Sequence, residues 1–408
     1  VQPYSVRHPE PAGVSPTGAV DTVVQEISEI GLILGQKNVV LNEEALQTAV
    51  VEAMIAAIDP HARILTKEQA ERKHEEESGI FYGVGLKVRM KGKWPQIVEV
   101  MKDAPAADSV LAAGDMIEKI GEKKTEGMTL EEVINLLRGG KGEAVELWVP
   151  EKGETAELRP VKIIRAPVHI PVTGTMEEWP QQIGYVKVNG LFEGSGEQIA
   201  EQLEIWAGKK YFGMILDIRD ANGVDLESVV GIASLFTKAG KNLFSVRDGH
   251  NNVVTNYQAR QGKQLAIPLM VLINRGTSCS AETLAAVVQH CAGVMLIGTS
   301  TSGDNRIREA IPLADGRILR IATKHIDLRK GPSYCNEGVI PDVFVLEPAM
   351  MVQDIEPVER KDNYGVFSGL SEQEQDTRAL TKRVSKDSIL RRATDILLGI
   401  KALGIQVH

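Results

Sequence analysis

The sequence predicts an α/β protein of several parts: a βα core sheet, an inserted β-rich module, and helical segments at both ends. Three observations predict it. From Ile183 to Val345, short apolar runs alternate with amphipathic helical patterns, as strands buried on both faces and their covering helices must read. From Gly79 to Ile164 the apolar period is mostly two, interrupted by Gly-containing turns, which is the pattern of half-buried strands. The 408 residues, 43% of them hydrophobic, are enough for a large core and for about two to four domains.

Each element follows from local chemistry. Val23, Val24, Ile27, Ile30, Ile33 and Leu34 recur at helical spacing and predict a helix from about Val20, and a second run extends from Asn42 to Ile58. Asn42 is placed to cap the second helix, Glu43 and Glu44 suit its positive end, and Asp59 with Pro60 stops it. The charged run HEEES then gives way to the Gly-punctuated IFYGVGL. Strands are predicted at GVGLKVRM, PQIVEVM, DMIEKI, AVELWV and AELRPVKII. One short helix, Thr129 to Leu137, begins TLEE and ends before Gly139 and Gly140, the expected start and stop signals.

In the core, the strand GYVKVNGL precedes the helix EQIAEQLEIW, GMILDIRD precedes LESVVGIASLF, LMVLINRG precedes SAETLAAVVQHC, and VMLIGTS follows. Near the end RRATDILLGIKAL reads as an amphipathic helix, whereas 353–387 is charged and is expected to be a surface excursion or partly disordered. The expected division is an N-terminal helical segment over 1–78, the β-rich module over 79–166, the βα core over 167–349, and a charged C-terminal segment over 350–408.

Composition excludes several function classes. A net charge of -9 with scattered Lys and Arg argues against a nucleic-acid or anionic-membrane binder, since phosphate neutralisation needs clustered cations. Three cysteines, Cys279, Cys291 and Cys335, are too few and too far apart for a disulfide framework or a CxxC metal site. His61, His74 and His169 are isolated, so no metal site and no cofactor is expected. The glycines of GVGL and RGGKG lack the GK[ST] ending of a phosphate loop. No stretch approaches the roughly 18–20 apolar residues of a membrane span. The first twenty residues carry no basic and apolar signal pattern, and whether residue 1 is a natural terminus stays open.

The segment of most chemical potential is VLINRGTSCSAETLAAV, Val271 to Val287. A buried strand ends at Asn274, a turn follows, and a helix begins near Ser280. Ser278, Cys279 and Ser280 thus sit where free N–H groups and the helix dipole favour a developing anion or a thiolate. The structural reading is that the serines are caps and Cys279 is a small core residue.

Several strings in order resemble the C-terminal processing peptidases, or tail-specific proteases, a serine-peptidase family with an inserted PDZ domain. IDPHARILT (Ile58 to Thr66) is similar to the family's DPHS-x-x-L, and YGVGL (Tyr82 to Leu86) to its GGVGI. DAPAADSVLAAGDMIEKI is similar to GSPAEKAGIKPGDVIVKI, LDIRDANG to LDLRNNPGG, IPLADGRIL to IPLSDGSAL, and NEGVIPDV to GKGIEPDV. The resemblance covers about Ser28 to Val345. It implies a PDZ groove in which the N–H groups of Val84, Gly85 and Leu86 capture a peptide's terminal carboxylate, walled by the Thr129 to Leu137 helix. It also implies an exported protein of a periplasm, cell envelope or plastid lumen, and oligomerisation through terminal helices such as 391–403.

The family's catalytic positions are all changed here. Members carry a Ser nucleophile in a run like NGGSASASEI, a Lys general base in GEKTFGKG, and often a Gln four residues beyond. Anchored on Asn274, Gly276 and Glu282, the nucleophile position falls on Cys279. Anchored on Gly298 and Gly303, the Lys position falls on Asp304 and the Gln position on Arg308. The family's NPGG oxyanion turn reads Ala221, Asn222, Gly223, Val224, so Gly223 keeps one of the two glycines. A thiol can attack, but a carboxylate beside it raises the thiol pKa and is itself too weak a base.

The expectation is therefore a protein that binds protein C-terminal tails in its PDZ groove with peptidase activity lost, either alone, as a homo-oligomer, or assembled with an active homologue. The alternative is an endopeptidase using Cys279, with His325 as its base. His290 cannot serve, since it lies about 16 Å along the same helix.

Overall fold

The computed structural model describes residues 16–37, 43–150, 157–179, 181–328, 331, 333–346 and 383–404. The chain forms two compact units, Val1–Ile64 and Leu65–His408. The first holds two helices, α1 (Pro16–Gln36) and α2 (Glu43–Ile58). Val23, Val24, Ile30, Leu32 and Ile33 of α1 are exposed. The proposed cap Asn42 lies outside the described residues. A short strand, β1 (Arg63–Leu65), follows at the boundary.

The second unit opens with α3 (Lys67–Ser78), which the sequence division places in the N-terminal segment. Its start is a capping box: the Thr66 hydroxyl accepts from Gln69 N, and the Gln69 side chain accepts from Thr66 N at 2.9 Å. The β-rich module then runs through β2 (Ile80–Gly83), β3 (Leu86–Lys91), β4 (Trp94–Val100), β5 (Lys119–Ile120), β6 (Lys123–Lys124), α4 (Leu130–Leu137), β7 (Ala144–Pro150), β8 (Leu158–Ile164) and β9 (Ala166–His169). β3 pairs β4, β2 pairs β9, and β6, β5, β7 and β8 form a sheet in that order. The alternation read from AVELWV puts Val145, Leu147 and Val149 inward, where they meet Ile97, Ile117 and Val133. DMIEKI keeps only two strand residues, because Met116 makes an isolated bridge to Gln96 instead of entering the ladder. Thr129 caps α4 with a second capping box, to Glu132.

The core begins with β10 (Thr173–Trp179) and β11 (Ile183–Val188), followed by α5 (Ser195–Gly208), β12 (Gly213–Asp217) and α6 (Leu226–Ser234). Next come β13 (Asn242–Asp248), β14 (Val253–Gln258), β15 (Leu269–Ile273), α7 (Cys279–Ala292) and β16 (Met295–Gly298). The hairpin β17 (Arg306–Pro312) and β18 (Ile318–Asp327), then β19 (Val343–Phe344) and α8 (Ser388–Ala402), complete it. Six strands form the central sheet in the order β10, β11, β12, β15, β16, β19, parallel except for the β10–β11 pair. A second sheet joins β17, β18, β13 and β14, all antiparallel. β13, β14 and β17 escape the sequence reading: the exposed strands β14 and β17 bury too little for a clear apolar period.

The central strands are apolar throughout because both faces are covered. On β12, Met214 and Leu216 face the helical layer that includes Leu203, Trp206 and Leu284, while Ile215 faces Ile389, Leu390 and Leu397 of α8. Each of those α8 side chains contributes about 1.5–3 kcal/mol by leaving water. The charged excursion expected over 353–387 falls mostly outside the described residues. Among the described residues no helix is long and apolar enough to cross a membrane.

A buried charge network fixes α8 to the sheet. Asp217, fully buried at the end of β12, accepts from Arg219 at 2.6 Å, Tyr185 at 2.9 Å and Lys187 at 3.2 Å. Arg219 also reaches Asp387, the N-cap of α8, at 2.7 Å. Burial by itself would raise the Asp217 carboxyl, but the bonds and charge of Arg219, helped by Lys187, hold it below its ordinary value. The stability this brings is present above the ordinary carboxyl range and is lost as the pH falls through the depressed value. Arg219→Ala strands two carboxylates and should cost about 3 kcal/mol in urea denaturation at neutral pH, with α8 becoming the first site of proteolytic nicking.

Candidate functional site

The residues that matter gather where β12, β15 and β16 end, at the carboxyl edge of the parallel strands, where open α/β sheets leave a crevice. Three segments meet there: the turn 218–225 after β12, the turn 274–278 leading into α7, and the loop 299–305 after β16.

Cys279 opens α7 with φ of +54°, a left-handed conformation that costs a non-glycine residue about 1–2 kcal/mol. Its neighbours hold it there. Ser278 N donates to Ala221 O at 3.0 Å and Ser280 N to Gly223 O at 3.1 Å, so both flanks of Cys279 are pinned to the first turn. The N–H groups of Cys279 and Gly223 themselves have no acceptor among the described residues. Gly223 has φ of +115°, and a Cβ there would lie 2.1 Å from Leu191 O, so only glycine fits. The turn thus keeps two backbone donors beside the Cys279 thiol, an arrangement suited to a peptide carbonyl.

The third segment is held by one side chain. Glu282, fully buried in the first turn of α7, accepts from Gly303 N at 2.6 Å, Ser302 Oγ at 2.9 Å, Asp304 N at 3.0 Å and the Thr301 hydroxyl. Burial raises its carboxyl above the ordinary value, and these four donors act in the opposite direction. The loop is anchored on its other side too, where Thr301 Oγ1 accepts from Val339 N at 2.7 Å and Gly303 O accepts from Asn336 N at 2.7 Å.

That loop presents Asp304, whose carboxylate pairs with Arg308 at 2.5 Å. The pair is largely buried, with side-chain exposures of 16% and 5%. Two of the positions singled out in the sequence are therefore joined to each other. A second ion pair, Glu77 of α3 with Arg320 of β18, brings another carboxylate whose charge acts on the thiol. Burial pushes the Cys279 thiol above its ordinary value, and the carboxylates of Glu77, Asp304 and Glu282 push it further, against one hydrogen bond with Ser278. A thiol so placed stays protonated at neutral pH. Glu77 and Arg320 were missed in the sequence, because a Glu within a charged helical run reads as a solvated face.

His325 stands on β18. It is half-buried and lines a polar cavity of about 300 Å³ with Arg247, Asn305, Ser333 and Tyr334. No hydrogen bond or ion pair joins it to Cys279 among the described residues. The buried Tyr334 hydroxyl instead meets Thr283 at 3.0 Å, and Thr283 donates to Cys279 O at 3.1 Å. Among the described residues no group of three or more His, Cys, Asp or Glu side chains is placed to hold a metal ion.

In the β-rich module, Val84 and Gly85 use their carbonyls inward, accepting from Ala106 N at 2.8 Å and Met101 N at 2.9 Å. Their N–H groups have no acceptor among the described residues. Gly85 has φ of +76° and lies so close to Ala104 that a Cβ would fall 2.1 Å from the Ala104 methyl. Leu86 opens β3, which packs beside α4. A cavity of about 520 Å³ on the same module, lined by Ile120, Lys123, Leu136 and Lys162 among others, does not include these three residues.

Replacing Glu282 with Gln turns an NH2 donor toward two donors that need an acceptor. Glu282→Gln should lower stability by about 2 kcal/mol in denaturant titration and speed amide exchange over 301–304.

Comparison with known proteins agrees with this geometry. Residues 182–345 match the model of peptidase family S41, and residues 72–149 match that of the PDZ domain. The carboxy-terminal-processing protease of Bartonella bacilliformis is 27% identical over 312 residues, 75% of this chain and 71% of that protein. The carboxy-terminal processing protease CtpA of Bacillus subtilis is 27% identical over 305 residues, 74% of this chain and 64% of that one. Among solved structures, the photosystem II D1 C-terminal processing protease gives a TM-score of 0.45 at 23% identity, covering 75% of this chain and 83% of that one, too loose a likeness to argue from. The βα core thus matches peptidase family S41 and the β-rich module ahead of it the PDZ domain, and the chain as a whole is similar to carboxy-terminal processing proteases.

Proposed function

We propose that this protein captures the C-terminal tails of other proteins in its PDZ groove and does not cut them. The observation that carries the reading is the ion pair between Asp304 and Arg308, at the positions aligned with the family's Lys and Gln. A general base must be free to take a proton from the nucleophile, and it must have a matching pKa. A carboxylate held by a guanidinium meets neither condition, and the anionic setting of Cys279 opposes thiolate formation. The two unsatisfied N–H groups at Gly223 and Cys279 are then free to hold a tail's carbonyl without chemistry following.

The proposal assigns tail capture to 79–166, the degenerate peptidase core to 167–349, and flanking roles to 1–78 and 350–408. It places the protein outside the cytoplasm, as the family resemblance implies. The exposed apolar residues of α1 favour self-association or docking with an active homologue, which light scattering would register.

Three outcomes follow. Peptides with an apolar C-terminus should bind as the free acid and lose about tenfold or more in affinity when amidated, since charge-assisted hydrogen bonds to the Val84 and Gly85 N–H groups are lost. Iodoacetamide should label Cys279 slowly at neutral pH, and Asp304→Lys should speed that labelling by about tenfold, the effect of one pKa unit. The wild-type chain should leave an unstructured substrate with an apolar tail intact, whereas Cys279→Ser, Asp304→Lys and Arg308→Gln combined should cut it. Cleavage by the wild type that disappears in Cys279→Ala would establish the cysteine-peptidase alternative instead.

A further inference from the structure

A cleft of about 840 Å³ opens beside the site, within the size range of cavities that enclose ligands. Its lining includes Val224, the residue after Gly223, and Glu77, whose charge acts on the Cys279 thiol. Its walls come from the α3 end and the β9 exit on one side, and from the starts of α5 and α6 on the other. The apolar part is formed by Ile80, Ile170, Val172, Phe192 and Val224.

The polar part is nearly all of one sign. Glu77, Glu193, Glu197, Asp225 and Glu227 line the cleft, and it contains no Lys or Arg. Arg260 pairs with Glu197 at 3.4 Å and Glu227 at 2.6 Å, and Arg320 pairs with Glu77, both from outside the lining. Carboxylates therefore outnumber guanidiniums by three. Asp225 spends its oxygens on capping α6, whereas Glu193 is exposed and has no partner among the described residues. A cleft with apolar walls and excess negative charge suits a chain that alternates apolar side chains with Lys or Arg, whose stems pack while their heads reach the carboxylates.

Resting on the tail-capture reading, we propose that this cleft takes an extended segment of the captured protein bearing Lys or Arg side chains, upstream of the tail held by the PDZ groove. The cleft then adds a selectivity for basic segments that the PDZ groove, which reads a terminal carboxylate, does not supply.

The test separates the two sites by chemistry. A pair of C-terminally amidated peptides, one alternating Val with Lys and its counterpart with Glu at the Lys positions, is titrated by fluorescence anisotropy at low and at physiological salt. Amidation removes the PDZ contribution, so what remains reports the cleft. The Lys peptide should bind about tenfold more tightly than the Glu peptide at low salt, with the ratio shrinking as salt screens the carboxylates. Glu193→Lys with Glu197→Gln should bring the ratio close to one, and Glu193→Lys alone, at an exposed residue without a partner, guards against a folding defect.

Equal binding of the two amidated peptides would overturn the proposal, and so would a Lys preference that survives both variants, because it would then arise elsewhere on an acidic surface. A free-acid peptide that binds while both amidated peptides fail would leave tail capture standing and remove the cleft from it. Loss of all free-acid binding with a retained, Glu193-dependent Lys preference would do the reverse.

Discussion

The candidate site depends on one carboxyl group. Glu282 is buried in the first turn of α7, and it collects donors from four consecutive residues of the loop after β16. A loop between a strand and a hairpin has many conformations, and four hydrogen bonds to one buried acceptor leave it essentially one. Through that anchor the position of Asp304 is set relative to the thiol at the head of the same helix. The left-handed Cys279 is held from the other direction, by the turn after β12. Helix, loop and turn are thus mutually fixed around Cys279, Asp304 and Arg308.

The buried ions of this site compensate one another. An aspartate placed alone beside a buried thiol would be an uncompensated charge, costing several kcal/mol. Arg308 sits four residues on, across the start of β17, and neutralises it, so the two residues are stable together in a way that neither is alone. The Glu77–Arg320 pair does the same for a second carboxylate. The result is a site rich in ions yet poor in proton acceptors, since each carboxylate near the thiol is engaged.

The rest of the second unit supports this arrangement from behind. The Asp217–Arg219–Asp387 network ties α8 to the strand end from which the Gly223 turn departs. The turn starts from a point fixed by a buried salt link, and the half-buried Lys187 also donates to Arg219 O. A C-terminal helix can in this way influence a distant turn through contacts alone, because the shared residue, Arg219, has only one position that satisfies both carboxylates.

Much of this was legible in the sequence. Apolar runs of both faces marked β11, β12, β15 and β16, the TLEE cap marked α4, and the anchors Asn274, Glu282 and Gly303 located Cys279 and Asp304, because period, capping and turn chemistry are local. The strands β14 and β17 were not legible, since their residues face solvent and their partners are distant in sequence. Nor were the pairing of Asp304 with Arg308, the approach of Glu77 to the thiol, or the place of His325 in the wall of a polar cavity. The sequence by itself determined which residue types stand in the turn, the helix start and the loop of the candidate site. Only the tertiary structure decided what those residues do to one another, because charge interactions depend on distance and burial, and residues 77, 279, 304 and 320 become neighbours only when the chain is folded.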